Sequence, residues 1–214
     1  MRVLVACEYS GRTREAFRRL GHDAYSVDLL PSEDDSPYHH QEDMWELLKR
    51  DSQWDLIIVH PDCTFHTNAS VRWFTTIPKR KKPGVFYGRE REREWAKAVV
   101  FFRRVQALRH KVPHVAIENP IMHDRSRNAV GRCTQIVQPW MFGHKEMKAT
   151  CFWLYGLPPL VPTRVVGPPP KDPKERKKWA KIHNASPGPN RWKDRSRTYP
   201  GISNAMAEQW GGRV

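Results

Sequence analysis

The feature that most constrains this chain is a series of short apolar runs, each broken off by a polar residue. Residues 1–6 (MRVLVA), 22–27 (HDAYSV), 55–59 (DLIIV) and 114–117 (HVAI) are followed closely by Glu8, Asp28, the stretch His60-Pro61-Asp62-Cys63, and Glu118. Runs that are apolar at nearly every position, not every second one, fit strands covered on both faces. Residues 12–20, stopped by Gly21, and residues 44–50 and 89–110 carry apolar positions at helical spacing. Residues 135–138 and 149–154 add a fifth and a sixth strand. Strands alternating with helices predict βαβ units, hence an α/β fold with a mostly parallel sheet and helices on both faces. Ligands of such sheets bind at the carboxyl ends of the strands. Glu8, Asp28, Cys63 and Glu118 all fall there.

The intervening segments differ in texture. Residues 34–37 form a polar loop. Residues 64–88 have no clean period and include Pro78, Pro83, Gly84 and the run Lys79, Arg80, Lys81, Lys82, which predicts a long basic loop. From Gly156 the chain becomes proline-rich and basic, with Pro158, Pro159, Pro162, Pro168, Pro169, Pro170, Pro173, Pro187 and Pro189 and few apolar positions. That composition supports an extended appendage, not a second core. Residues 196–210 return to a helical pattern ending at Trp210. The expected organisation is a main domain over 1–155, a small basic region over 156–199, and a C-terminal helix over 200–214 that returns to the main domain.

Charge points to a partner. The 37 Lys and Arg against 23 Asp and Glu leave a formal net charge of +14, and a polyanion is the simplest reason to carry that field. The excess clusters in segments expected to be loops. No run of apolar residues is long enough to span a bilayer, and no charged-then-apolar leader opens the chain. Cys7, Cys63, Cys133 and Cys151 form no CxxC pair, which argues against a zinc site or a disulfide framework. Reduced thiols in a cytoplasmic protein are the expectation, with no metal and no membrane.

Two strand ends carry chemistry. A cysteine at the mouth of a central strand acts as a nucleophile when its surroundings favour the thiolate. A carboxyl after an apolar strand, as at Glu118, is expected to stay protonated by partial desolvation and to donate to a base ring.

Together with the order of elements, the turn Pro61-Asp62-Cys63 and the turn Ile117-Glu118-Asn119 resemble the DNA cytosine-5 methyltransferases, especially their short phage-encoded members. The resemblance runs from Val3 to Trp210. It implies a Rossmann-like S-adenosylmethionine-dependent methyltransferase fold with a small proline-rich, basic target-recognition region. It implies that Cys7, Glu8, Tyr9, Ser10 and Gly11 form the cofactor loop, with Pro61 beside it. Asp28 would accept the ribose hydroxyls and Asp43 would meet the adenine amino group. Asn204 and Ala205, within Ile202-Ser203-Asn204-Ala205-Met206, would complete the pocket.

On the same resemblance Cys63 would attack C6 of a flipped cytosine and Glu118 would protonate or hydrogen-bond N3. Lys148 would take the place of the arginines that steady the ring. The family usually has a proline immediately before its cysteine; here Asp62 stands there, and raises the thiol pKa unless it faces away. Asn68, Arg72 and the lysine run in the 64–88 loop would close over double-stranded DNA, with Arg191, Lys193, Arg195 and Arg197 on its phosphates. Arg164, Lys171, Lys174, Arg176, Lys177, Lys178 and Lys181 suit phosphates too. A region this small predicts a short target of two to four base pairs; the protein is expected to act as a monomer.

Two other functions fit parts of the pattern. One is a non-catalytic DNA-binding relative that keeps the fold and the charge. The other is an amino-methyltransferase acting on cytosine N4 or adenine N6, which needs no cysteine at this turn.

Overall fold

Strand β1 (Arg2–Ala6) is an interior strand of the sheet, paired in parallel with β2 (Asp23–Asp28) on one side and β4 (Leu56–Val59) on the other. The computed structural model describes residues 1–184, 188 and 191–212. Short β3 (His39–Gln41) extends the sheet beyond β2, and β5 (His114–Pro120) pairs in parallel with β4. β7 (Thr150–Tyr155) runs antiparallel to β5, and β6 (Gln135–Val137) antiparallel to β7. The order is β3-β2-β1-β4-β5-β7-β6. The expected α/β, mostly parallel sheet is present.

Alternation along each strand divides the core into two layers. Leu4, Ala6, Ile57, Val59, Val115 and Ile117 face helices α2 (Met44–Arg50) and α3 (Gly88–Ala107), packing with Met44, Leu47, Val99, Phe102 and Val105. Val3, Val5, Leu56, Ile58 and Ala116 face α1 (Arg12–Arg18) and α8 (Pro200–Trp210), packing with Ala16, Phe17, Ile202, Ala205 and Met206. Because α8 fills one face of the sheet, the C-terminal segment is part of the main core.

Several elements depart from the expectations. β3 reads His-His-Gln, is half-buried or exposed, and has no apolar signal; its place comes from pairing with β2. The 64–88 loop contains a 3₁₀ segment, Asn68–Phe74. A short helix, α4 (Asp124–Val130), follows β5, capped by the His123 ring, which accepts from Ser126 N. The last helix starts at Pro200, where a proline at the first turn fixes the boundary.

The 156–199 region is not one block. Its first part packs on the core: Leu160 is buried, Trp210 Nε1 donates to Pro158 O at 2.9 Å, and Val161 N donates to Gln209 Oε1 at 2.8 Å. Three short helices follow, α5 (Pro173–Lys178), α6 (Lys181–Asn184) and α7 (Arg191–Ser196). Pro187 and Pro189 lie outside the described residues.

Candidate active site

β1 and β4 are neighbours, yet the chain leaves them in opposite directions across the sheet, β1 toward β2 and β4 toward β5. This is a topological switch point, where connections diverge and leave a crevice at the carboxyl ends of the strands. The turn after β1 forms one wall. Cys7 N donates to Val27 O at 2.8 Å and holds the turn to β2, with Cys7 at φ 58° and Gly11 at φ 66°. A Cβ on Gly11 would run into the buried Arg14 guanidinium, so both the left-handed conformation and the space favour glycine there. Gly11 has no side chain to cap α1, and Glu8 does so instead, accepting from Thr13 N at 2.7 Å and Arg14 N at 3.2 Å. The Glu8 carboxylate is therefore committed to the helix end, a different use from the cofactor contact expected of it. The Cys7 thiol is pushed up to about 12 by burial and by the charges of Asp28, Asp43 and Asp62.

At the end of β2, burial raises the Asp28 carboxyl despite hydrogen bonds from backbone amides, including Leu30 N at 2.9 Å. Its neighbour Leu29 is 71% exposed, an apolar surface beside a carboxyl. Sequence reasoning missed it, because an isolated leucine after a strand carries no periodic signal. Asp43 caps α2, accepting from Trp45 N at 2.7 Å.

The turn after β4 forms the opposite wall. Asn119 Nδ2 donates to Pro61 O at 2.8 Å, tying this turn to β5. His66 N and Thr67 N donate to Cys63 O at 3.0 and 3.2 Å, so the backbone around the half-buried Cys63 is fixed. Asp62 Oδ1 accepts from Thr64 N and Oγ1. The Cys63 thiol is pushed up to about 11, first by burial and then by Asp62 and Glu118, with Lys148 and Arg195 opposing.

Glu118 differs from its expectation. Burial pushes its carboxyl up, but the hydrogen bond and charge of His60 pull it below the ordinary value, so it is ionised rather than held neutral. His60 Nδ1 lies 3.0 Å from Glu118 Oε2. Lys148 reaches the same place from the segment before β7. Burial lowers its ammonium, while Glu118 and Cys63 support the charge. Its Nζ donates to Arg195 O at 2.7 Å and Arg197 O at 3.3 Å. Cys63, Glu118, Lys148 and His60 thus form one electrostatic cluster. His60 was missed because it reads as the flank of the Pro-Cys turn.

Residues 192–198 lie across the first turn. Tyr9 Oη is 2.9 Å from Ser196 Oγ, Trp192 packs on the Tyr9 ring at 5.6 Å, and Arg12 Nη1 donates to Thr198 O at 3.1 Å. Arg197 holds Glu33 through Nε at 2.9 Å and Nη2 at 2.6 Å. What remains between Cys7, Glu8, Tyr9, Ser10, His60 and this strap is a cavity of about 20 Å³, space for about one water. Arg197, expected on DNA, is placed on an acid. Asn204 is directed to the surface, accepting from Arg19 Nη2 at 2.9 Å, and Ala205 is packed in the core. Asn204 still lines a second cavity, of about 300 Å³, with Ser10, Gly11 and Asp34 beside the first turn, whereas Ala205 lies in the core.

The basic residues lie in several groups, among which Arg191 and Lys193 are half-buried and Arg195 and the cations of the 64–88 loop are exposed. Asn68 and Arg72 lie in the 3₁₀ segment and Lys79, Arg80, Lys81 and Lys82 in the loop after it, all exposed. Arg191, Lys193 and Arg195 lie on α7. No helix among the described residues is long and apolar enough to cross a membrane.

No family model matches the chain, and no curated protein does. Among solved structures it is similar to an E. coli prophage-encoded protein described as a DNA modification methyltransferase, at 16% identity and a TM-score of 0.46, covering 77% of this chain and 51% of that one. It is also similar to the Dnmt2 methyltransferase of S. pombe, at 14% identity and a TM-score of 0.41, covering 84% of this chain and 54% of that one. The chain spans about half the length of each. Likeness at this level assigns neither substrate nor activity.

Proposed function

We propose that this chain transfers a methyl group from S-adenosyl-L-methionine to C5 of cytosine in double-stranded DNA, using base flipping and a transient bond from Cys63 to C6. The observation that supports it best is the cluster at the ends of β4 and β5, where a half-buried thiol shares one electrostatic environment with Glu118 and Lys148.

The crevice has donors and acceptors that fit the cofactor. Asp28 offers a carboxyl for ribose hydroxyls, exposed Leu29 offers an apolar face for adenine, and the turn at Cys7 and Gly11 brings backbone close to the methionine end. His60 lines the same cavity, and its buried Nε2 has no hydrogen-bond partner among the described residues. Asp43 at the head of α2 and Pro61 belong to the same rim. The cofactor would supply an electrophilic methyl group; a cavity of about 20 Å³ means that residues 196–198 give way to admit it.

Cytosine C5 is a weak nucleophile, and a covalent bond at C6 activates it. The Cys63 sulfur attacks C6 as thiolate, the Glu118 carboxyl serves N3, and Lys148 offsets the charge of both. The target base leaves its stack to reach this point, which costs a few kcal/mol. Asn68, Arg72 and the run at 79–82 would track the duplex, with Arg191, Lys193 and Arg195 on phosphates that position without specifying. The reading includes a monomer acting in the cytoplasm.

One observation favours a second reading. A thiol at about 11 is stored protonated at neutral pH, as in a DNA-binding relative that keeps the fold without turnover. DNA carrying 5-fluorocytosine separates the two. Fluorine cannot leave C5 as a proton does, so a catalytic Cys63 stays bonded to C6 after transfer. A denaturation-stable protein–DNA adduct that requires the cofactor and Cys63 is expected; its absence, with turnover on ordinary DNA, contradicts the mechanism.

A further inference from the structure

His60, the first residue after β4, is built into the site on both sides of its ring. The side chain is only 10% exposed, beside 14% for Glu118. Nδ1 is 3.0 Å from Glu118 Oε2. Nε2 is buried without a hydrogen-bond partner among the described residues, on a residue that lines the cavity with Cys7, Glu8, Tyr9 and Ser10. An orphaned buried polar atom is costly, and His22 and His66 carry one too, but His60 is the one whose other nitrogen meets the Glu118 carboxylate and whose ring borders the crevice.

Charges face this ring from several elements: Glu118 on β5, Glu8 in the turn after β1, Asp28 at the end of β2, and Lys148 before β7. Arg197, from the strap, lines the same cavity. Burial draws the imidazole pKa down, but the hydrogen bond and charge of Glu118, with Glu8, outweigh burial and Lys148, and the net direction is upward. Glu118 moves down. The proton of this pair therefore rests on the imidazole.

We propose that His60 is a positioning residue for base activation: through Nδ1 it orients the Glu118 carboxyl and stores the proton that Glu118 delivers to the target ring. The inference rests on the cytosine-5 reading. The Cys63 thiol first loses its proton to water; as the resulting thiolate bonds to C6, the electron pair of the C5=C6 bond shifts into the ring. One proton then passes from His60 Nδ1 to the Glu118 carboxyl and from that carboxyl to N3, leaving His60 neutral. After methyl transfer the N3 proton returns to the pair. The C5 proton leaves to water, its bonding pair restores C5=C6, and the sulfur departs with the electrons of the C6–S bond. The proton is thus borrowed within the site and returned to it.

His60→Asn keeps a donor near the Nδ1 position and cannot carry the proton. In single-turnover methylation by the full chain, at cofactor and DNA concentrations that saturate each protein, H60N is expected to lose roughly 10²–10³-fold in transfer rate. Its rate–pH profile is expected to lose the alkaline fall that the wild type shows as His60 deprotonates. An H60N protein that keeps that alkaline fall, at whatever rate, overturns the proposal and leaves the cytosine-5 reading standing. A wild-type product methylated on an exocyclic nitrogen overturns that reading itself. A ¹⁵N NMR titration of the wild-type imidazole does not depend on the variant folding. His60 is expected to titrate above about 6.5 and to move down in Glu118→Gln; a wild-type value below that figure overturns the proposal.

Discussion

Asp62 Oδ1 accepts two hydrogen bonds from Thr64, from the backbone nitrogen at 2.9 Å and from Oγ1 at 2.6 Å. The carboxylate that precedes the candidate nucleophile is thereby turned onto the chain that follows it. Its hydrogen bonds are spent locally, but its charge still reaches the sulfur, ranking second after burial among the causes that raise the Cys63 thiol.

Asp62→Asn keeps an acceptor for Thr64 and removes the charge. The Cys63 pKa is expected to fall from about 11, and iodoacetamide alkylation near neutral pH to accelerate roughly threefold, as suits an exposed charge at short range. An unchanged alkylation rate would show that Asp62 is electrically silent at the thiol.

Gly11→Ala tests the first turn. The new Cβ would clash with the Arg14 guanidinium at a φ of 66°, against a side chain that is fully buried and bonded to Ser26 Oγ at 2.8 Å and to Asp34. A loss of about 2–4 kcal/mol is expected from left-handed strain plus a disturbed buried cation, measured by urea unfolding. A loss below about 0.5 kcal/mol would mean the turn rearranges freely.

The strap that crosses the crevice carries a pH signature. Arg197 holds the Glu33 carboxyl below its ordinary value through their hydrogen bonds and charge. A depressed carboxyl stabilises the fold fully above its unfolded pKa, about 4.3, and loses that contribution as pH falls through the folded value. Glu33→Gln is expected to lower stability at pH 7, by about 1 kcal/mol or less for a partly exposed pair, and to leave it unchanged near pH 2. Chemical denaturation at both pH values checks this. The same variant is expected to speed cofactor association, because the strap is released.

The exposed run at 79–82 is expected to contact phosphates. Replacing its four cations with alanine should weaken DNA binding at low salt and reduce the slope of log K against log salt by up to about 3–4, near 0.9 per phosphate contact. Fluorescence anisotropy across a salt series reads both. An unchanged slope would place the duplex elsewhere on the protein.

The sheet was legible because its central strands are apolar at nearly every position: Val3, Leu4, Ile57 and Ile58 leave no other conformation that buries them. β3 was not, since His39, His40 and Gln41 owe their strand conformation to β2 alone. The strand-end acids and Cys63 could be placed by order along the chain. What each carboxylate does could not, because Glu8 capping α1 and Glu118 pairing with His60 depend on contacts from residues distant in the fold or on a turn geometry with no sequence signature. The strap over the first turn was invisible for the same reason: Tyr9 and Ser196 are 187 positions apart.

Cytosine-5 methylation through Cys63 is tested most directly by the product of one reaction. The chain is incubated with S-adenosylmethionine tritiated in its methyl group and mixed-sequence duplex DNA, and the DNA is then digested to nucleosides. The account predicts label in 5-methylcytosine, lost in Cys63→Ala. Label in N4-methylcytosine or N6-methyladenine, or 5-methylcytosine that persists in Cys63→Ala, would contradict it.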